Sequence, residues 1–351
     1  MNEITLLAID LAKSTFHLHG VDKTGGPVLK KKLSRSKLHE YLAQLPPCII
    51  AMEACGGSHF WARACQALGH QVQLLSPQHV KPFVQGNKND ANDARAIAVA
   101  ALQPNMPTVA IKTPEQQDIQ MLHRLRQRHI QERTALSNQV RGFLMEFGIT
   151  IQRGIHVVRN QTLAILADGD NRLTDVARRE IHALYQKLLG LDKEIERFEG
   201  HLKEIAHNNP ICQQFLTLRG VGLITATIAY ATLADPSHFK CGRQFSAYLG
   251  LVPKEHSTGG KHRLMGISKR GNSYVRSLLI HGGRAVVRSC VGKKDSFSLW
   301  VQRIQARRGF NKASVAVANK NARYLWAMMQ KGDAFVQHGS QDACELAATA
   351  V

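Results

Sequence analysis

ITLLAIDLA, residues 4–12, is a short, mostly apolar run that reads as a buried strand, and it carries one acid, Asp10, close to its end. After it, TFHLHGVDK (15–23) alternates with period two, Gly25-Gly26 makes a turn, and PVLKKKLSR (27–35) returns as a third strand. SKLHEYLAQL (36–45) has a Ser N-cap and helical apolar spacing. CIIAMEAC (48–55) reads as a second buried strand, GSHFWARACQALG (57–69) as a helix closed by Gly69, and QVQLLSP (71–77) as another strand. NDANDARAIAVAAL (89–102) is Ala-rich, amphipathic and helical.

Three strands in a meander, then alternating helix and strand, is the order of an α/β sheet of the RNase H type. This first domain is expected to span 1–110. A helical region over 111–209 follows. Residues 114–147 carry Leu122, Leu125, Leu136, Val140, Phe143 and Phe147 on a broad stripe ringed by arginines. In 174–207 the residues Ile181, Leu184, Leu188, Leu191, Ile195, Phe198, Leu202 and Ile205 alternate spacings of three and four, an a/d heptad seam. Such a seam serves an intramolecular antiparallel hairpin with the 114–147 helix, an intermolecular coiled coil, or both. A mainly α, basic domain is expected over 210–330, and 331–351 is small and polar, a flexible tail.

The charge balance sets the partner. Lys and Arg number 46 against 26 Asp and Glu, a formal net charge of +20. Residues 254–323 hold 16 of the cations and only two acids, Glu255 and Asp295. Such an excess implies a polyanion, bound through phosphate neutralisation and counterion release. A membrane is the competing explanation, but no run approaches the roughly 18 apolar residues of a spanning helix. The N-terminus has no basic n-region and carries acids inside its apolar run, unlike a signal peptide. Seven cysteines without a CxxC pair suit a reducing cytoplasm better than a disulfide framework or a zinc site. A cytoplasmic nucleic-acid protein with no membrane partner is the expectation.

The informative acids are Asp10, Glu53, Asp90 and Asp93. Asp10 in LLAIDLAK and Glu53 in IIAMEACGG sit at the C-terminal parts of two apolar strands, where an unpaired buried carboxylate is costly. Asp90 and Asp93 are three apart on a helix and share one face. If the strands are neighbours and the helix crosses their ends, four carboxylates converge on a divalent-metal site fit for in-line phosphoryl displacement. Taken singly, each acid has a structural alternative: Asp10 with Lys13, Glu53 with Arg63, Asp93 beside Arg95.

Two further segments bear on nucleic acid. LRGVGLITA has the pattern of a helix–hairpin–helix turn, in which Gly220 and Gly222 let the backbone approach a phosphate beside Arg219. In PKEHSTGGKHRLMGISKRGNSYVRSLLIHGGRA (253–285), Ser257 and Thr258 precede Gly259 and Gly260 inside a strongly basic loop. A serine hydroxyl needs a base, a cation or a metal to become a nucleophile, and His256, Lys261, His262 and Arg263 are candidates. The alternative is a flexible loop that only touches phosphate. Lys269, Arg270 and Arg276, with Arg284 and Arg288 beyond, read as phosphate contacts, which position without specifying sequence.

AIDLAK, AMEACGG and KNDANDARAIA, together with TLRGVGLITA and FSAYLGLVPKEHSTGGKHRLMGISKRGNSYVRSLLIHGGRA, resemble the motifs of the DEDD-type transposases of the insertion-sequence-110 family. That family includes the Piv DNA invertases, and the Ser-Thr-Gly-Gly spelling resembles its subgroup with a long basic C-terminal domain. The resemblance covers about 4–148 and 210–290. It implies a RuvC-like catalytic domain, Mg²⁺ held by Asp10, Glu53, Asp90 and Asp93, and attack of Ser257 on DNA phosphate to give a covalent intermediate. Many relatives read Ser-Ser-Gly where Thr258 stands here. The resemblance also implies a non-coding guide RNA from the element and a homo-multimer, dimer or tetramer, whose active sites join the acidic domain of one protomer to the serine domain of another. Two rival readings keep the chemistry open: a RuvC-like nuclease or junction resolvase that uses water, and a catalytically dead nucleic-acid-binding descendant.

Overall fold

The computed structural model describes residues 3–85 and 89–332. The tail expected at 331–351 therefore falls, from 333 onward, outside the described residues. Two compact units are formed: Met1–Pro114 with Leu233–Lys240, and Glu115–Thr232 with Cys241–Val351.

The first unit is a mixed α/β sheet. Strands β1 (Leu6–Asp10), β2 (Thr15–Val21) and β3 (Pro27–Ser34) form an antiparallel meander; β4 (Ile49–Glu53) and β5 (Gln71–Leu75) add in parallel on the other side of β1. The order is β3-β2-β1-β4-β5. Helix α1 (Arg35–Ala43) joins β3 to β4, α2 (Ser58–Ala67) joins β4 to β5, and a short α3 (Pro77–Val80) leads towards α4 (Asp90–Ala101). The Ser36 N-cap expected from sequence is not formed. Helix α1 begins two residues earlier, behind Ser34, whose hydroxyl makes no cap bond but meets Ser36 Oγ at 3.2 Å.

Both faces of β1 are covered, and that explains why it is apolar throughout. Leu7 and Ile9 pack with Leu38, Leu42, Trp61 and Cys65 of α1 and α2, whereas Leu6 and Ala8 pack with Ala96, Ile97, Ala98 and Ala100 of α4. Since strand side chains alternate, Asp10 follows Leu6 and Ala8 onto the α4 face. Glu53 likewise follows Ala51.

The second unit is almost wholly helical. Helices α5 (Pro114–Glu146), α6 (Ile155–Ala167) and α7 (Asp175–Asn208) come first. Helices α5 and α7 lie antiparallel within the chain, tied by Arg126–Glu199 at 2.6 Å, Lys187–Glu132 at 2.8 Å and Arg133–Asp192 at 2.9 Å. Arg159 of α6 reaches the same Asp192 carboxylate. The buried residues of α7 are Ile181, Tyr185, Leu188, Leu191, Ile195, Phe198, Leu202 and Ala206. Tyr185 and Ala206 thus take the positions expected of Leu184 and Ile205, which are half-buried. The seam drifts with the roughly 3.6-residue period of a straight helix instead of holding a 3.5 repeat.

The basic segment contributes α8 (Pro210–Leu216), α9 (Leu223–Leu233), α10 (Gly242–Tyr248), a hairpin of β6 (Pro253–Glu255) and β7 (Leu264–Ile267), then α11 (Ser273–Ser289), α12 (Ser296–Arg308) and α13 (Phe310–Lys331). Here glycines permit close backbone crossings. A Cβ on Gly282 of α11 would lie 1.8 Å from Gly220 O, and one on Gly283 would lie 2.3 Å from Ser314 O of α13. Gly282→Ala is therefore expected to lower the urea midpoint by the equivalent of about 2–3 kcal/mol, since the overlap outweighs the roughly 1 kcal/mol gain in helix propensity. Gly190→Ala on α7, where a Cβ meets nothing within 4 Å, is expected to raise it slightly. Equal shifts in the two variants would count against the crossing.

Candidate active site

The carboxyl end of the parallel strands is where an open α/β sheet places its ligands. β1 and β4 are adjacent and parallel with Ile9 opposite Met52, so Asp10 and Glu53 finish neighbouring strands at the same edge. Helix α4 runs over that edge. Asn89 caps it by accepting from Ala91 N at 2.8 Å, and this places Asp90 and Asp93 in its first turn, where the helix dipole favours anions.

One oxygen each from Asp10, Asp90 and Asp93 lies within 4.8 Å of the other two. Glu53 is outside this tight trio but close enough that the Asp93 charge, after burial, raises its carboxyl above the ordinary range. Asp10 is pushed up to about 6, first by burial and then by Asp93, Asp90 and Glu53. Burial and the neighbouring carboxylates both disfavour the ionised form, and a nearby cation would favour it. Among the described residues, the basic side chain that reaches the trio is His17, whose Nδ1 lies 3.6 Å from Asp90 Oδ2. The structural alternatives for these acids are not realised: Arg63 donates to Lys112 O, and Arg95 donates to Gln85 Oε1 at 3.2 Å. An all-oxygen donor set from clustered acids, Asp10 and Asp93 half-buried and Asp90 exposed, suits a hard divalent cation.

His17 was not singled out from the sequence. It faces Asp10 directly across the β1–β2 ladder, and its Nδ1 is buried without a hydrogen-bond partner. The period-two pattern of TFHLHGV contained this side assignment; the cross-strand register did not follow from it.

Ser257 stands in the second unit, on the β6–β7 hairpin. The turn is Thr258-Gly259-Gly260-Lys261, with φ of 54° and 75° at the two glycines, the left-handed pair of a tight two-residue hairpin turn. The glycines are therefore required by the turn itself. Lys261 N donates to Thr258 O at 3.0 Å and His256 N to Arg263 O at 2.9 Å, which sets Ser257 opposite His262. Ser257 Oγ donates to Glu255 Oε1 at 2.5 Å, and His262 Nδ1 meets the same oxygen at 3.0 Å. By strand alternation His256, Thr258, Lys261 and Arg263 occupy the opposite face.

The expected phosphate contacts divide into two groups. Lys261, Arg263, Lys269 and Arg270 are exposed. Arg276, by contrast, is held by the backbone, donating to Leu249 O at 3.1 Å and Arg270 O at 2.9 Å. Arg219 is paired with Asp295 at 3.0 Å and donates to Ser298 Oγ. In the α8–α9 turn, Gly220 (φ 84°) gives its freedom to the crossing with α11, where a Cβ would meet Val286 Cγ2 at 2.7 Å; a Cβ on Gly222 would meet nothing.

Comparison with known proteins gives two family matches. Residues 7–149 match the DEDD transposase family of IS110 type, and residues 212–297 match the family described as "Transposase IS116/IS110/IS902 family". The chain is 44% identical over 329 residues to a "Probable family 20 transposase" of Pseudomonas aeruginosa, an alignment spanning 93% of this chain and 97% of that protein. It is 44% identical over 335 residues to the "Transposase for insertion sequence element IS1111A" of Coxiella burnetii, covering 95% and 92% of the two chains. The corresponding element IS1328 transposase of Yersinia enterocolitica is 41% identical over 335 residues, with 95% and 99% covered. With acids gathered at one sheet edge, a basic serine-bearing segment and near-complete coverage of these relatives, the chain belongs to the IS110 family of transposases, enzymes that cut and rejoin DNA.

Proposed function

We propose that this transposase cuts and rejoins the DNA strands of a mobile insertion element in a Mg²⁺-dependent reaction, with Ser257 as nucleophile and a non-coding RNA of the element as guide. The acidic domain is read as RNase H/RuvC-like, with Asp10, Glu53, Asp90 and Asp93 holding the metal. The observation that carries this reading is the approach of Asp10, Asp90 and Asp93 to within 4.8 Å, with the Asp10 carboxyl driven up to about 6. Bound divalent ions would supply charge to stabilise the oxygens entering and leaving phosphorus. Asp10 and Glu53 fix the floor of that site through the sheet, and Asp90 and Asp93 close it from the helix.

Ser257 stands on an exposed hairpin in a segment that also exposes Lys261, Arg263, Lys269 and Arg270, and in this reading it attacks a phosphate that those cations draw in. A phosphoserine ester keeps the energy of the broken phosphodiester, so rejoining needs no external source. Nothing in the basic segment offers an evident base-reading element, and that fits sequence choice delegated to base pairing with RNA. The protein is read as a homo-multimer, dimer or tetramer, acting on nucleoid DNA in the cytoplasm; among the described residues no helix is long and apolar enough to cross a membrane.

The test uses the full chain, the element's RNA and end-labelled DNA carrying the element junction. Cutting is expected in Mg²⁺, abolished by EDTA, restored by excess Mg²⁺ and dependent on the RNA. Cutting that persists in EDTA would overturn the metal reading, and cutting at the same site without RNA would overturn the guide.

A further inference from the structure

We propose that Glu255 accepts the proton of Ser257 during attack on DNA, and that His262 holds Glu255 in position. This rests on Ser257 being the nucleophile. The hairpin supports it geometrically: residues 255, 257 and 262 share one face because the Gly259-Gly260 turn sets Ser257 opposite His262. One carboxylate oxygen, Glu255 Oε1, receives both Ser257 Oγ at 2.5 Å and His262 Nδ1 at 3.0 Å, while the direct Ser257 Oγ to His262 Nδ1 separation is 3.5 Å. The carboxylate is thus the nearer acceptor for the serine proton, and the imidazole, donating from Nδ1, fixes the carboxylate.

Charge makes an ornamental role for Glu255 unsatisfactory. Residues 254–323 hold 16 cations and two acids on a DNA-binding segment, where each acid repels phosphate. The other acid, Asp295, has a structural explanation: it caps α12 through Ser298 N and pairs with Arg219. Glu255 has no such explanation. Among the described residues its side-chain partners are the Ser257 hydroxyl and the His262 imidazole, with no Lys or Arg ion pair. Those two hydrogen bonds, Ser257 first, hold its carboxyl below the ordinary range, so it is ionised and ready to accept at neutral pH. The cluster is exposed in the free chain. Covering it with DNA removes water and adds phosphate charge, both of which strengthen the carboxylate as a proton acceptor.

The step balances as follows. The Ser257 proton passes to Glu255 Oε1 as an Oγ electron pair forms the bond to phosphorus. The bond from phosphorus to one sugar oxygen breaks, and that oxygen leaves with the bonding pair and takes a proton from water. In rejoining, a sugar hydroxyl loses its proton to water and attacks phosphorus, and Ser257 Oγ leaves with its pair and recovers the proton from Glu255.

The experiment follows protein–DNA adduct formation by the full chain with RNA, Mg²⁺ and junction DNA, in single turnover from pH 7 to 9. Glu255→Gln keeps shape and hydrogen bonding but cannot take the proton. It is expected to slow adduct formation about 100-fold at pH 7 with DNA affinity unchanged or tighter. Its deficit should shrink about tenfold per pH unit as hydroxide replaces the missing base. Glu255→Asp should recover part of the rate, and His262→Ala should lose about tenfold. A wild-type rate in Glu255→Gln, or a slowed rate whose pH profile parallels wild type, overturns the proposal and leaves the serine mechanism standing. Absence of any adduct with wild-type protein overturns the serine mechanism itself, and this proposal with it.

Discussion

Asp10→Asn is expected to abolish strand cutting while making the metal-free protein more stable. The amide fills the same space at the end of β1 but carries no charge, so the proposed cation would lose a ligand at the floor of the site. Loss of that electrostatic stabilisation is worth several kcal/mol, a fall in cutting rate of at least ~1000-fold. The stability change has the opposite sign. Asp10 titrates near 6 in the folded protein against an ordinary 3.8, so the folded chain binds the proton more tightly than the unfolded chain does. Its favourable contribution is complete below the unfolded value and is lost as pH rises through about 6; above that, the ionised carboxyl opposes folding. At pH 7.5 without metal, Asp10→Asn is therefore expected to melt a few degrees higher, equivalent to about 1–2 kcal/mol after allowance for solvent screening. Below pH 4 the two proteins should converge. Mg²⁺ should raise the melting temperature of the wild type and leave the variant nearly unmoved. A variant that cuts normally, or that is less stable than wild type at pH 7.5 without metal, would show that Asp10 is a structural acid.

The gathering of acids at one sheet edge is legible in the sequence for a physical reason. An acid inside an apolar strand is conspicuous, and the two-residue period assigns Asp10 to the face of Leu6 and Ala8 and Glu53 to that of Ala51. Once the sheet order is right, the face covered by α4 is the face with the acids. His17 escaped notice because alternation tells which side a residue occupies and not which residue stands beside it; the β1–β2 register supplies that. The α7 stripe shows a related limit. Leu184 and Ile205 are better hydrophobes than Ala206, and counting them favoured a 3.5 repeat. Over 34 residues the straight helix drifts past them and buries Tyr185 and Ala206 instead. Helix α6 went unread because Ile155–Ala167 buries only Val158 and Thr162, too little for a periodic stripe.

The C-terminal glycines carry a structural role that the sequence reading does not show. Gly220 permits the crossing with Gly282, and Gly259-Gly260 form a hairpin turn. A two-glycine turn flanked by residues able to pair is itself a hairpin signal. Read that way, it would have aligned Ser257 with His262 and drawn Glu255 into view. Arg219 and Arg276 could not have been separated from Lys261, Arg263, Lys269 and Arg270 by sequence, since a cation that braces a backbone and one that awaits a phosphate are spelled alike.

Ser257→Ala should eliminate the covalent protein–DNA species altogether. With end-labelled junction DNA, RNA and Mg²⁺, wild-type protein should carry label through denaturing electrophoresis, and the variant should carry none, with strand cutting reduced at least ~1000-fold. DNA affinity should be nearly unchanged, because the exposed cations Lys261, Arg263, Lys269 and Arg270, the proposed phosphate contacts, remain. Thr258→Val is the decisive companion. Thr258 pairs with Lys261 at the turn and lies on the face opposite Ser257, away from the Glu255 carboxylate that receives the Ser257 hydroxyl. It should retain the adduct at close to the wild-type rate, the valine being tolerated on an exposed strand position. An adduct lost in Thr258→Val and kept in Ser257→Ala would move the nucleophile by one residue. Free cut ends without adduct, and full cutting by Ser257→Ala, would leave water as the nucleophile. In that case the bond energy is lost at the cut, and an enzyme that must rejoin strands would then need attack by a free DNA end. The serine ester and the free end therefore predict different chemistry at the same phosphate, and the label decides between them.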